Sequence, residues 1–146
     1  MLKSLEVSVD QQGDSLIVSI WAKGNTGVAN DELHNLFYSR WKSTPFIDLI
    51  DSINNNQKIP TILDEEKINH IIFDLTKISY IWSSWLLPFL KANRFLSEKN
   101  PKEKVVLLNP NDRIENVVLL SKLDTIFDIQ KESLVDLLKT LQSKGE

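Results

Sequence analysis

The chain reads as a single α/β domain, with a mixed, mostly parallel sheet, helices packed against that sheet, and a β-hairpin at the N-terminal end. Three observations point there. Apolar and polar residues alternate on both sides of a Gly-Asp turn early in the chain. Ile71-Ile72-Phe73 and Val105-Val106-Leu107-Leu108 are short continuous apolar runs, the length of strands buried on both faces. An amphipathic helical pattern separates the two runs, which makes a strand, a crossover helix and a parallel strand.

Taken in order, Leu5, Val7 and Val9 alternate with polar neighbours, Gln11-Gln12-Gly13-Asp14 supplies turn chemistry, and Leu16, Val18 and Ile20 resume the period of two. That pattern predicts the opening hairpin. Asn30 stands where it can cap a helix whose Leu33, Leu36, Phe37 and Trp41 recur at helical spacing. Pro45 stops that run, and Phe46, Leu49, Ile50 and Ile53 begin another, with Asn54-Asn55-Asn56 read as a polar loop. Between the two apolar runs, Trp85, Phe89, Ala92 and Leu96 share one helical stripe, flanked by Leu86 and Leu90, while Lys91, Arg94 and Glu98 lie opposite. After Asn109-Pro110-Asn111, a further amphipathic segment carries Ile114, Val117, Val118 and Leu120. Residues 126–129 read as a short strand, and Leu134, Leu137, Leu138 and Leu141 mark a last helix with a frayed tail. No repeat, linker or low-complexity segment interrupts the βαβα alternation, so residues 1–146 are expected to form one domain.

Composition narrows the function classes. A chain of 146 residues buries about 68–70% of the surface that its unfolded form exposes, enough for one sizeable core. With no cysteine there is no disulfide, thiol catalysis or cysteine-based zinc site. The 17 basic and 20 acidic residues give a net charge of -3, and the basic ones form no stripe that would neutralise phosphates, so nucleic acid is not an expected partner. The N-terminal residues lack the apolar core of a secretory signal. The longest apolar stretch, residues 80–90, is broken by two serines and a proline and is shorter than the roughly 20 residues a spanning helix needs. A cytoplasmic protein without membrane insertion is expected; the oligomeric state is left open.

Familiar catalytic signals are missing. His34 and His70 are far apart without a second ligand at a metal-binding spacing, and are read as surface or capping residues. No Walker loop, GxGxxG or GxSxG occurs, so no catalytic residue, metal or cofactor is expected. Asp64-Glu65-Glu66 reads as a solvated loop or helix start. The distinctive place is Tyr80-Ile81-Trp82-Ser83-Ser84-Trp85, with two hydroxyls between two tryptophans where a strand should give way to a helix. The unpaired N–H groups and positive dipole end of a helix start favour negative charge, so a phosphate on Ser83 or Ser84 suits that position. A plain capping role, worth roughly 1 kcal/mol, is the better account of at least one of the two serines. Trp85 falls on the apolar stripe and is expected in the core, whereas Trp82, ahead of the helix, is the more exposed of the two and a partner anchor. Pro88 is compatible with an early helical position.

The stretch Ile71-Ile72-Phe73-Asp74-Leu75, then residues 78–86 with their serine pair, a helix and residues 105–108 resemble the signature region of STAS domains, the bacterial anti-sigma factor antagonists and their relatives. Leu120-Ser121-Lys122-Leu123-Asp124-Thr125-Ile126-Phe127 resembles the family's Ser-Gly-Leu stretch. Only residues 24–69 are longer than the usual connection, which implies an insertion with a second helix around residues 46–53. In that family an Asp-Ser-Ser-Gly motif opens the helix, and its first serine is phosphorylated by a partner kinase that is also the anti-sigma factor. By position that serine is Ser83, with Ser84 the second choice. Here Trp82 stands for the motif's Asp, Trp85 for its Gly, and Lys122 for the Gly of Ser-Gly-Leu.

The resemblance implies a non-enzymatic interaction module that binds a serine kinase of the anti-sigma type through Trp82, Ser83, Ser84 and Trp85. A phosphate at Ser83 would add nearly two negative charges to the interface and release the partner. The competing expectation, drawn from the two tryptophans, is a STAS-like scaffold that is never phosphorylated and sits in a signalling or transport-associated complex.

Overall fold

In a computed structural model, residues 5–22, 44–78 and 86–144 are described. Alternation does produce a hairpin: β1 (Leu5–Gln12) and β2 (Ser15–Ala22) run antiparallel, with Leu5 opposite Ala22 and Gln12 opposite Ser15. Gly13 takes a φ of 61° in the connecting turn, a conformation that a side chain disfavours. The helix expected from Asn30, along with His34, lies outside the described residues. The next helix is α1 (Phe46–Asn55), entered from Pro45. It runs through Asn54 and Asn55, which the sequence reading gave to a loop, because the buried Asn54 side chain finds partners inside the fold: its Nδ2 donates to the Thr61 carbonyl at 2.8 Å and its Oδ1 accepts the Thr61 N–H at 2.9 Å.

A single 3-10 turn (Glu65–Lys67) carries the acidic run, exposed to solvent, into β3 (His70–Asp74). Then come α2 (Leu86–Lys99), β4 (Val106–Leu108), α3 (Asp112–Leu120), β5 (Asp128–Gln130) and α4 (Leu134–Lys144). Among the described residues the strands form one sheet in the order β1-β2-β3-β4-β5, parallel throughout except for the hairpin. This is the mixed, mostly parallel α/β architecture that the sequence predicts.

The period of two in each strand assigns residues to two faces. One face holds Val9, Leu16, Val18, Ile20, Ile71, Phe73 and Leu107, covered by Phe46 and Ile50 of α1, by Phe89, Ala92 and Leu96 of α2, and by Ile114 and Val118 of α3. The other face holds Ile17, Ile72, Val106 and Leu108, covered by Leu134, Leu137, Leu138 and Leu141 of α4. Each fully buried aliphatic or phenyl group contributes about 1.5–3 kcal/mol through removal from water. Pro88 sits in the first turn of α2, where its missing N–H breaks no intrahelical bond.

Three readings need correction. The last strand spans Asp128–Gln130 rather than 126–129, because Ile126 and Phe127 both donate their N–H to the Leu123 carbonyl in a turn that buries Phe127 in the core. Leu120 is 84% exposed and not on the core face of α3; Ile114 and Val118 supply that contact. His70 is neither a surface nor a capping residue. It is 7% exposed, with Nε2 3.7 Å from Asp14 Oδ2 and Nδ1 3.5 Å from Glu103 Oε2, at the rim where the hairpin turn, β3 and the α2–β4 connection converge.

Helix α3 is capped at both ends. The Asn111 side chain accepts the Ile114 N–H at 3.0 Å, a cap worth about 1 kcal/mol. At the C-terminal end Lys122 adopts a φ of 59°, its N–H donates to the Leu119 carbonyl at 3.0 Å, and the Leu123 N–H donates to the Val118 carbonyl at 3.0 Å. That is a Schellman turn, whose left-handed residue is ordinarily glycine. Because a left-handed conformation costs a side-chain-bearing residue roughly 1–2 kcal/mol, Lys122→Gly is expected to stabilise the protein by about 1 kcal/mol, read as a higher urea midpoint with an unchanged slope.

Candidate functional site

The four residues assigned to partner binding, Trp82, Ser83, Ser84 and Trp85, lie outside the described residues. What is described is the frame on either side of them. The segment leaves β3 through Asp74, Leu75, Thr76, Lys77 and the buried Ile78, and it enters α2 at Leu86. Both ends are fixed by aromatic packing: Phe89 of α2 stands against Phe73 of β3 with ring centroids 4.6 Å apart, and against Phe127 at 6.1 Å in an edge-on arrangement. Such pairs contribute about 0.5–1.5 kcal/mol beyond the area they bury.

Because β3, β4 and β5 are parallel, their carboxyl ends share one rim of the sheet, the place where α/β folds commonly bind ligands and partners. A polar network knits that rim together. Asp74 Oδ1 accepts the Thr76 N–H at 3.1 Å and the Thr76 hydroxyl at 2.5 Å, an Asx turn that ends β3. Thr76 Oγ1 in turn accepts from Asn109 Nδ2 at 3.2 Å, and the same nitrogen donates to the Glu132 carbonyl at 2.8 Å. The Asn109 backbone N–H donates to the Gln130 carbonyl at 2.8 Å, and the Leu75 N–H to the Leu108 carbonyl at 2.9 Å. Asn109 has a φ of 54°, a left-handed position that asparagine tolerates better than most residues. One carboxamide therefore ties together the chain just beyond the ends of three parallel strands.

Beside this network is a pocket of about 300 Å³ lined by Ser8, Ser19, Ile20, Asp74 and Lys77. Register explains its polar floor, since Ser8 is opposite Ser19 and Ser19 is opposite Asp74, so the three residues form one row across β1, β2 and β3. On the far side of the rim, Lys131 donates to Glu115 Oε2 at 2.9 Å. That hydrogen bond and the Glu115 charge hold the Lys131 ammonium above its ordinary pKa range, with a smaller contribution from Asp112. Among the described residues no group of histidine and carboxylate side chains is arranged to hold a metal ion, and no helix is long and apolar enough to cross a membrane.

The rim network went unread in the sequence. Its available signals were the Asp-x-Thr spacing at the end of an apolar strand and the Asn109-Pro110 pair after the next one. The first marks an Asx turn; neither says that Thr76 and Asn109 meet.

No protein-family model and no curated protein matches the chain. Solved structures do. The anti-sigma factor antagonist SpoIIAA in its unphosphorylated form aligns over 94% of this chain and 97% of its own, with a TM-score of 0.61 at 12% identity. A putative anti-sigma factor antagonist from Thermotoga maritima aligns over 93% and 94%, with a TM-score of 0.56 at 17% identity. The phosphorylated form of SpoIIAA, a Bacillus cell fate determinant, aligns over 92% and 98%, with a TM-score of 0.55 at 12% identity. The chain has the STAS fold. Within that class, the structures it is similar to are those of anti-sigma factor antagonists.

Asn109 offers a direct test of the rim. Asn109→Ala removes two side-chain hydrogen bonds and leaves a Cβ at positive φ, with an expected loss of about 2–4 kcal/mol, whereas Asn109→Gly keeps the backbone relaxed and should lose about 1–2 kcal/mol. Equal losses in chemical denaturation would show that the backbone conformation contributes nothing.

Proposed function

We propose that this protein is a regulatory protein–protein interaction module of the anti-sigma factor antagonist type, without enzymatic activity, that docks on a kinase-type regulator through the rim around Trp82, Ser83, Ser84 and Trp85. Phosphorylation of Ser83 would be the control. The observation that carries the reading is the similarity over more than nine-tenths of the chain to an anti-sigma factor antagonist solved both with and without its phosphate. One fold accommodates both states of that protein, which suits a switch made of local charge rather than refolding.

The geometry supports the same reading. Ser83 precedes the first residue of α2 by three positions in the sequence, and the described frame on either side has strand ends cross-tied through Asn109 and a helix seated by Phe89. A phosphate at Ser83 would act through its charge on whatever is docked there. Trp82 and Trp85 supply the large apolar area that partner recognition favours.

Peptide fragmentation across residues 78–91 of the protein isolated from its own cells is expected to place one phosphate on Ser83, absent in Ser83→Ala. Against the regulator recovered with the protein, Ser83→Glu is expected to bind at least about tenfold more weakly than wild type, or about 1.4 kcal/mol. A serine pair unmodified under every growth and stress condition, together with equal binding by Ser83→Glu, would favour a constitutive scaffold and overturn the switch.

A further inference from the structure

Strand β1 lies at one margin of the sheet, paired with β2 alone among the described strands, and it is eight residues long. A marginal strand turns the N–H and C=O of every second residue away from the sheet, where they invite another strand. The opposite margin, β5, is only three residues long and offers little to pair with. β1 carries neither proline nor lysine to discourage pairing.

Val9 is one of the outward-facing residues. Its N–H donates to Gln57 Oε1 at 2.6 Å and its carbonyl accepts from Gln57 Nε2 at 3.1 Å, so one carboxamide makes both hydrogen bonds that a neighbouring strand would make. Two residues on, the exchange runs the other way. Gln11 Oε1 accepts the Asp64 N–H at 2.8 Å, and Gln11 Nε2 donates to the Asp64 carbonyl at 3.1 Å. The Thr61 hydroxyl adds a bond to Asp10 Oδ1 at 3.1 Å. Among the described residues, no backbone-to-backbone hydrogen bond joins residues 57–64 to β1. The segment is a strap held by side chains. It is anchored separately, by Asn54 to Thr61 in its middle and by Lys99 to the Glu65 and Ile68 carbonyls just beyond it.

We propose that the outer edge of β1 is an interaction surface kept closed by this strap, and that its occupant when the strap lifts is β1 of a second copy, antiparallel about a two-fold axis at Val9. The symmetry follows from the hydrogen bonding. A residue with both backbone groups facing outward, set against its own copy, forms the doubly bonded pair of an antiparallel ladder. In that register Ser8 meets Asp10, Val7 meets Gln11 and Glu6 meets Gln12, so no two carboxylates are opposed. The two sheets become one, with the hydrogen bonds of Gln57 and Gln11 replaced by those of backbone.

The test compares full-length wild type with Gln11→Ala/Gln57→Ala by sedimentation velocity and by amide hydrogen exchange over a concentration series. Wild type is expected to be a monomer whose Val9 amide exchanges at a rate independent of concentration. The double variant is expected to dimerise, its Val9 amide exchanging about tenfold or more slowly in the dimer than when dilute. Adding Val9→Pro, which deletes an N–H that β2 does not use, should return it to monomer. A variant that stays monomeric at every concentration overturns the proposal. So does a dimer whose Val9 amide ignores concentration, since the contact then lies elsewhere, for instance at Ile59 and Ile62, which are 88% and 92% exposed. A wild type that itself dimerises through Val9 equally overturns the strap as a closure. If the double variant loses its circular-dichroism spectrum, Gln57→Ala alone carries the same test.

Discussion

The packing of Phe89 between Phe73 and Phe127 is the contact on which the arrangement of this molecule depends. It joins the central strand, the crossover helix and the turn before the last strand, three segments far apart in sequence. Parallel strands cannot be joined by tight turns, so each pair needs a covering element, and the covering element needs a fixed seat. Phe89 supplies it. Once α2 is seated, the carboxyl ends of β3, β4 and β5 come to a common rim, and the connection running from β3 to α2 must leave and return at that rim.

The polar network at the rim is a consequence of the same topology. Parallel strands end with carbonyls and amides that no helix covers, and buried backbone groups of that kind must find partners. Asp74, Thr76 and Asn109 provide them with short side chains, and Asn109 adopts a left-handed backbone to reach both neighbours. The row Ser8, Ser19 and Asp74 extends that polarity across the sheet into the pocket. Wherever α4 lays leucines on this face the strands carry Ile17, Ile72, Val106 and Leu108 instead. The face is thus divided between an apolar part that holds the fold together and a polar part left accessible.

Most of the fold was legible because it is written in local periods. Leu5, Val7 and Val9 against Leu16, Val18 and Ile20 give a hairpin without further information, and the unbroken apolar runs around residues 72 and 107 give a sheet covered on both sides. The errors have a common cause. Ile126, Phe127 and Leu120 are apolar residues whose burial or exposure is decided by a turn, not by a period; Asn54 and His70 are polar residues buried because distant segments satisfy them. The candidate site was legible only as a position, the serine pair ahead of a helix, since the residues that frame it meet through contacts tens of positions apart. The likeness to the STAS fold rests on the spacing of strands and helices rather than on individual motif residues. Lys122, with its φ of 59°, takes a backbone conformation ordinarily left to glycine.

The unequal lengths of the strand pairings have a structural consequence. β1 and β2 are joined over eight residue pairs, β2 and β3 over five, and β3 with β4 and β4 with β5 over three each. Local opening is governed by how many such bonds must break together. The sheet is therefore laced more densely from β1 to β3 than from β3 to β5, and the Asn109 ties stand where the ladder is shortest. Side-chain cross-ties at the carboxyl ends of β3, β4 and β5 thus make up for backbone pairing that is short there.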